Sequence, residues 1–354
     1  MNNGVDHADK DEVVELPVSA NQLSEDQSAS GRGRRATANM MRDFLSTPDL
    51  WSVWTAPIAL AIVAIVFAIT APSFTSPSNL EQVLSESAIL ALMAIGQSFV
   101  IIAAGIDLSQ AAVLTLASVF LGEIVLHANT VGIGIACLAA IAGGSIVGWL
   151  NGLVIAKIKI TDFIVTLGAL SVASGIALVL TKGAPTQITS TFLLKLSTGS
   201  VGYIGYPVFI ALAAFLVGQY LLFHTRFGTY VFATGGDREA ARAMGIRVER
   251  VRIIVYVVSG FLAGVAAILY TARIGAAEPA PDTTLLLDSI ASVVLGGVSL
   301  FGGRGNIASP IIGAVLLTAL SNGLTLLSVS EFYEPIVVGL IVIAAATLMR
   351  YQKD

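Results

Sequence analysis

One run of residues, Gly235-Gly236-Asp237-Arg238-Glu239-Ala240-Ala241-Arg242-Ala243-Met244-Gly245, sets acids, arginines and a small apolar face between glycine breaks. The chemistry these types support is docking rather than bond-making. Asp237 is placed to cap a helix start, because its carboxylate can accept from the first free amides. Glu239 then falls in the first turn, where the helix dipole favours an anion. Gly245 is placed to end the helix in the left-handed conformation. Glu239 and Arg242 are spaced to pair, a contact worth only about 0.2–0.5 kcal/mol. Two turns do not hold alone, since isolated helices need roughly 12–15 residues to be even marginal. A groove in this molecule or in a partner has to seat Ala240, Ala241 and Met244. The rival reading is a solvated connector with incidental helix.

A second set of residues is polar where its surroundings are not. Asp107 closes an apolar run within Gly105-Ile106-Asp107-Leu108-Ser109. An ionised Asp at the centre of a bilayer costs about 2.5–3.5 kcal/mol on insertion scales, so Asp107 belongs near an interface or against a wet cavity. It also stands where it would cap the next helix, with Ser109 as a rival cap. Asn151 divides similarly, between a bond to a neighbouring helix and a pathway lining. Tools for covalent chemistry are missing. No Gly-Lys dipeptide occurs, which excludes a G-x-x-x-x-G-K-[ST] phosphate loop. His7, His127 and His224 are unpaired at ligand spacing, and no H-E-x-x-H or G-x-S-x-G motif is present. Asp107, Glu123, Asp162 and Asp288 lie near the ends of apolar runs with no basic partner at helical spacing. No catalytic residue, metal site or cofactor is expected.

The elements that position these groups follow from composition. The chain is 55% hydrophobic and 12% charged, against about 25% charged for a soluble domain. A span needs roughly 20 mostly apolar residues. Such runs lie near 54–71, 83–104, 110–126, 131–156, 163–181, 206–223, 253–272, 285–300, 308–327 and 336–349. Open strands cannot sit in lipid, so the fold class is an all-α polytopic membrane protein with about ten transmembrane helices. With both termini in the cytoplasm, all of the 19 Lys and Arg except Lys182, Lys195 and Arg273 fall inside, the positive-inside pattern. The loop at about 224–252 carries Arg226, Arg238, Arg242, Arg247, Arg250 and Arg252. Residues 1–50 are expected to be a disordered cytoplasmic tail whose basic end, Arg32 to Arg35, lies against anionic membrane lipid. Residues 51–350 are the transmembrane domain.

Packing signals are also legible. Gly144, Gly148 and Gly152 form a small-xxx-small stripe that Gly260 and Gly264 repeat, a device for close helix approach in lipid. Cys137 is expected to be a small apolar filler. Residues 182–205 form the largest outer loop, either a partner surface or a plain connector. Leu295 to Asn306 is dense in glycine, and the run before it is short for a full crossing. That combination predicts an interrupted helix, tolerated only where it is buried in protein or lines water.

Glu239-Ala240-Ala241 followed by Gly245 resembles the E-A-A-x-x-x-G core of permease subunits in bacterial ABC importers. Gly105-Ile106-Asp107-Leu108-Ser109, Asn151-Gly152 with Phe163-Ile164-Val165-Thr166-Leu167-Gly168, and Ala233-Thr234-Gly235-Gly236-Asp237 narrow the resemblance. So do Asp288 to Gly297 and Phe301-Gly302-Gly303-Arg304-Gly305. Together they are similar to the ribose/xylose/arabinose/galactose-type permeases over roughly residues 50–350. Gln110-Ala111, Asp162 in place of a common proline, and the missing L-P after the E-A-A core depart from that pattern.

The resemblance implies a multi-pass bacterial inner-membrane subunit that is not itself an enzyme. Asp237, Arg238, Glu239, Ala240, Ala241, Arg242 and Gly245 would form a coupling helix seated in a separate cytoplasmic ATPase subunit. A second permease subunit and a periplasmic or extracellular solute-binding protein would complete the assembly, with no nucleic acid. The solute would be a monosaccharide or related polyol, moving past weak hydrogen-bonding groups such as Gln97, Asp107, Ser109, Asn151 and Ser292. Alternatives are another small solute, such as a nucleoside or a branched-chain amino acid, and a stand-alone secondary carrier.

Overall fold

The structure, a computed structural model, describes residues 48–127, 132–333, 335–340 and 343. The chain divides into two units, residues 1–51 and 52–354. Only the helical residues 48–51 of the first are described, so the tail expected at 1–50 lies almost wholly outside the described residues. So does most of the apolar run at 336–349, which is helical at 336–340 and 343.

A chain in lipid must bond its own amides, and these residues do so as helices. In order they are α1 (Pro48–Thr70), α2 (Pro77–Ile102), α3 (Gln110–His127), α4 (Gly132–Leu153), α5 (Asp162–Thr181) and α6 (Thr191–Thr198). Then come α7 (Tyr206–His224), α8 (Arg226–Gly236), α9 (Arg238–Ala243), α10 (Val248–Ile274), α11 (Thr283–Leu295) and α12 (Ala308–Leu326). Among the described residues α2, α4, α5, α7, α10 and α12 are long and apolar enough to cross a membrane. The apolar helices α1, α3 and α11 are shorter. Together these cover every expected run but the last.

The centre of the bundle is α2. Ser76 caps it by accepting from the Asn79 amide, Pro77 opens it, and from Ser87 to Ile102 every side chain is buried. Around it pack α10, α12, α7 and α11. Helix α10 lies along α4 at the predicted glycine stripe. A Cβ at Gly144 would overlap the carbonyl oxygen of Gly260, and one at Gly148 would overlap that of Tyr256. Helices α5 and α7 instead turn most of their apolar surface outward.

Helix α11 has 13 residues, about 20 Å at 1.5 Å per residue, against the roughly 30 Å of a hydrocarbon core. Its continuation at Gly296 and Gly297 leaves the helix, with Gly297 at φ 75°. The interruption predicted there is present. Residues 182–205 hold short elements of their own. β1 (Thr186–Gln187) pairs antiparallel with β4 (Ala276–Ala277), and β2 (Ser200–Val201) pairs with β3 (Ile204–Gly205). Ser190 caps α6 between them.

The loop at 224–252, expected to hold one short helix, holds two. Helix α8 forms because Thr225 caps it at the Gly228 amide and Phe227 and Val231 give it an inward face. The Phe227 ring stacks 6.2 Å from that of Phe99 on α2.

Gly148→Ala is expected to lower the thermal midpoint of the detergent-solubilised protein, by an overpacking cost of about 1–3 kcal/mol. Gly168→Ala, with nothing within 4 Å of its Cβ position, should leave it unchanged. Equal midpoints for the two variants would contradict this packing.

Candidate functional site

The short helix α9 begins as its sequence predicts. Asp237 sits in extended backbone and its carboxylate accepts from the amides of Glu239 at 2.8 Å and Ala240 at 3.0 Å. Gly245 lies at φ 83° and closes the end, with the Ile246 amide bonded to the Ala241 carbonyl at 3.0 Å. The apolar face divides. Ala241 is buried within this molecule, while Ala240 and Met244 are exposed, Met244 at 83%. Glu239 is exposed beside them.

The pairing of Glu239 with Arg242 is corrected. Arg242 bonds instead to Glu249 on α10, Nε to Oε1 at 3.0 Å. The left-handed turn at Gly245 folds the first turn of α10 back beside α9, so Arg242 meets a carboxylate there.

Helix α9 is fastened to the bundle at its first residue. A terminal nitrogen of Arg238 donates to the Ala104 carbonyl, in the turn that follows α2. Burial first, then the nearby charge of Arg252, pulls the Arg238 guanidinium below its usual value. Just before it, Gly235 and Gly236 lie against Ile102 and the backbone of Gly303. The Gly303 amide donates to the Ile102 carbonyl at 2.9 Å. Gly235 and Gly303 admit no other residue. A Cβ at Gly235 would overlap the Ile102 oxygen, and Gly303 holds φ 71°. Ala104 itself is at φ 57°, a left-handed conformation uncommon for a residue with a Cβ.

On the inner side of that turn, side chains from α3, α4 and α10 meet those of Asp107 and Ser109. Asp107 Oδ1 accepts from the Ser109 amide at 3.0 Å and the Ser109 hydroxyl at 2.6 Å. Its Oδ2 accepts from the Ser259 hydroxyl at 2.8 Å. Asn151 on α4 donates to Ser109 Oγ at 2.9 Å, and Gln110 Nε2 donates to Met93 O at 3.0 Å and Ser259 Oγ at 3.3 Å. Burial pushes the Asp107 carboxyl up, and the bonds from Ser109 and Ser259 pull it back. Asp107 bonds Ser109 just before α3, the Ser109 carbonyl accepts from the Val113 amide, and both residues are buried.

Beside this cluster Asp162, the first residue of α5, forms an ion pair with Arg252 of α10; both side chains are about nine-tenths covered. Tyr256 donates toward Asp162 Oδ2 at 3.0 Å and toward the Ile106 carbonyl at 3.1 Å. At helical spacing Asp162 has no basic partner, and Arg252 reads as one of the loop arginines. Their positions are 90 apart in the chain, beyond any local signal.

Asp107, Ser109 and Asn151 are therefore brought together. Gln97 and Ser292 are not part of their hydrogen-bonded cluster. Gln97 is fully buried on α2 with both amide atoms lacking a hydrogen-bond partner, and Ser292 bonds back to the Asp288 carbonyl at 2.7 Å. Among the described residues no group of three or more His, Cys, Asp or Glu could hold a metal ion.

The apolar bundle defines a multi-pass α-helical membrane protein, and its permease family places it in the bacterial inner membrane. The chain belongs to the family described as the branched-chain amino acid transport system / permease component, which matches residues 79–346. The ribose import permease protein RbsC of Escherichia coli (strain K12) is 38% identical over 293 residues, 81% of this chain and 90% of that protein. The RbsC protein of Bacillus subtilis (strain 168) is 38% identical over 83% of this chain and 91% of its own length. The D-allose transport system permease protein AlsC of Escherichia coli (strain K12) is 33% identical, covering 85% and 92%.

Removing one member of a buried ion pair costs about 3–5 kcal/mol, mainly by stranding the other charge. Arg252→Met is therefore expected to lower the thermal midpoint sharply, and Arg252→Met with Asp162→Leu to restore most of the loss. A double variant no more stable than the single one would contradict the pairing.

Proposed function

We propose that this chain is the membrane-embedded permease subunit of an ATP-driven importer that carries a monosaccharide, or a related polyol, across the inner membrane. The observation that carries the reading is α9. It is capped at both ends, exposes Glu239, Ala240 and Met244, and is tied through Arg238 to the turn at the inner end of α2. Relatives named for ribose, allose and arabinose, aligned over more than four-fifths of this chain, support sugar as the solute. The family description mentions branched-chain amino acids, but these sugar-named relatives favour a sugar.

In this reading the arginine-rich end faces the cytoplasm and about ten helices cross the membrane. The chain does no bond chemistry. A separate ATPase subunit receives Asp237, Arg238, Glu239, Ala240, Ala241, Arg242 and Gly245 as a coupling helix, a solute-binding protein delivers the sugar, and a second permease subunit completes the pathway. Nucleotide shifts the bundle only if the ATPase binds its two states with different affinity. The push enters at α9 and reaches the Ala104–Ser109 turn through Arg238. From there it passes to Asp107 and Ser109, and through Tyr256 to the Asp162–Arg252 pair. A chain of packed groups and hydrogen bonds with two arrangements is the physical form such coupling takes. Asn151 joins this cluster through Ser109, whereas Gln97 and Ser292 remain candidates for the solute route.

The test is reconstitution with an ABC ATPase subunit and a sugar-binding protein from the same organism, measuring uptake of labelled D-ribose, D-allose and L-arabinose together with ATP hydrolysis. Met244→Asp and Glu239→Arg are expected to cut binding-protein-stimulated hydrolysis and uptake at least about tenfold, a loss of about 1.4 kcal/mol or more in coupling. Concentrative uptake by this chain without any ATPase would overturn the reading in favour of a secondary carrier.

A further inference from the structure

Two cavities open at the end of the bundle away from the arginine-rich loop, and the coupling described above uses neither. The larger, about 480 Å³, lies between the starts of α2 and α11 and the ends of α10 and α12. The smaller, about 410 Å³, lies between α2, α6, α7 and the last turn of α10. Both fall within the ~300–1,000 Å³ of small-molecule pockets. They share Glu86, Ile89 and Arg273. Glu86 and Arg273 are joined by an ion pair of 2.6 Å, so one bridge forms part of the wall between them.

The lining of the larger chamber selects a chemistry. Glu86, Asp282 and Asp288 supply carboxylate oxygens that accept from hydroxyl groups, and Arg273 supplies a donor. Thr284, Thr318 and Ser321 both donate and accept. Tyr270 and Phe332 add aromatic faces for the C–H side of a ring. Carboxylates outnumber the single cation, and that cation is already paired, so sugar phosphates and sugar acids are repelled. The carboxylates are also not a metal cage, because no such group occurs among the described residues.

We infer that the larger chamber is the receiving site for a neutral polyhydroxy solute, and that the Glu86–Arg273 bridge holds it apart from the smaller one. This inference rests on the sugar-import reading and gives the solute its first seat in the permease. The seat is open and polar, and a solute that must be passed on is held weakly.

The chain's single cysteine, Cys137, makes the test direct. In a Cys137→Ser background, Ser321→Cys reports on the larger chamber, with Thr284→Cys as a second reporter should the first fail to fold. Right-side-out vesicles holding the permease, its ATPase and its binding protein are exposed to a membrane-impermeant thiol reagent. D-ribose, D-allose, L-arabinose, betaine, sodium chloride or magnesium chloride is added at equal osmolarity, and wild-type sugar uptake is measured alongside. A seat with Kd near 10 mM slows labelling about tenfold at about 100 mM sugar.

Labelling slowed by at least one transported sugar, and not by betaine or the salts, is the expected result. Sugar protection no greater than betaine's, with wild-type uptake intact, overturns the chamber and leaves the importer standing. Protection by the salts instead makes it an ion chamber, and failure of both cysteines to react shows it closed to that face; either overturns the inference. Absence of uptake of all three sugars by the wild type overturns the sugar reading itself, and the chamber's assignment with it.

Discussion

Two carboxylates inside a mostly apolar bundle set the terms for the arginine-rich end of this molecule. Asp107 is buried and Asp162 nearly so, and an uncompensated charge in such a place is far too costly to persist. Their partners come from α3, α4 and α10, with Asn151 reaching Asp107 through Ser109. Satisfying them fixes where α5 and α10 meet the turn after α2. That turn is itself non-helical backbone at the edge of the bundle, which is tolerated because protein surrounds it and Arg238, Tyr256 and Gly303 bond its carbonyls or those just before it.

The same end relies on close backbone approach. Gly235 and Gly236 on one side and Gly302 and Gly303 on the other let α8, the loop after α11 and the end of α2 touch without side chains between them. Such contacts transmit displacement stiffly, because there are no rotatable groups to absorb it. In the middle of the bundle the stripe of Gly144 and Gly148 against Gly260 does similar work between α4 and α10. Two long helices are held at backbone distance there, so α10 connects both ends of the molecule as one rod.

What the sequence made legible was local or periodic. Capping at Asp237, termination at Gly245, the glycine stripe and the break after α11 are each specified by a few adjacent residues, and each is present. Pairings across the fold were not legible. Arg252 reads as one of several loop arginines until α10 is seen to carry it under α5, and Arg242 reads as a partner of Glu239 until the turn at Gly245 brings Glu249 alongside. Helix α8 was hidden for a different reason. Its inward face is short, and arginine and glycine around it make the segment read as loop. For Asp107 the local sequence leaves capping and a wet pathway both open; its carboxylate bonds Ser109 just before α3 and Ser259 on α10.

At the opposite end a small feature reaches further than its size. The two-residue ladder of β1 with β4, helped by the Ile188 amide on the Gly275 carbonyl, stitches the segment after α5 to the segment after α10. The stitched strand β4 leads within a few residues to Asp282, on the rim of the larger chamber. The lobe that includes α6 and the lip of the chamber are thus joined through one backbone ladder. In the proposed importer, a load placed on that lobe would therefore reach the lip of the chamber through this one ladder.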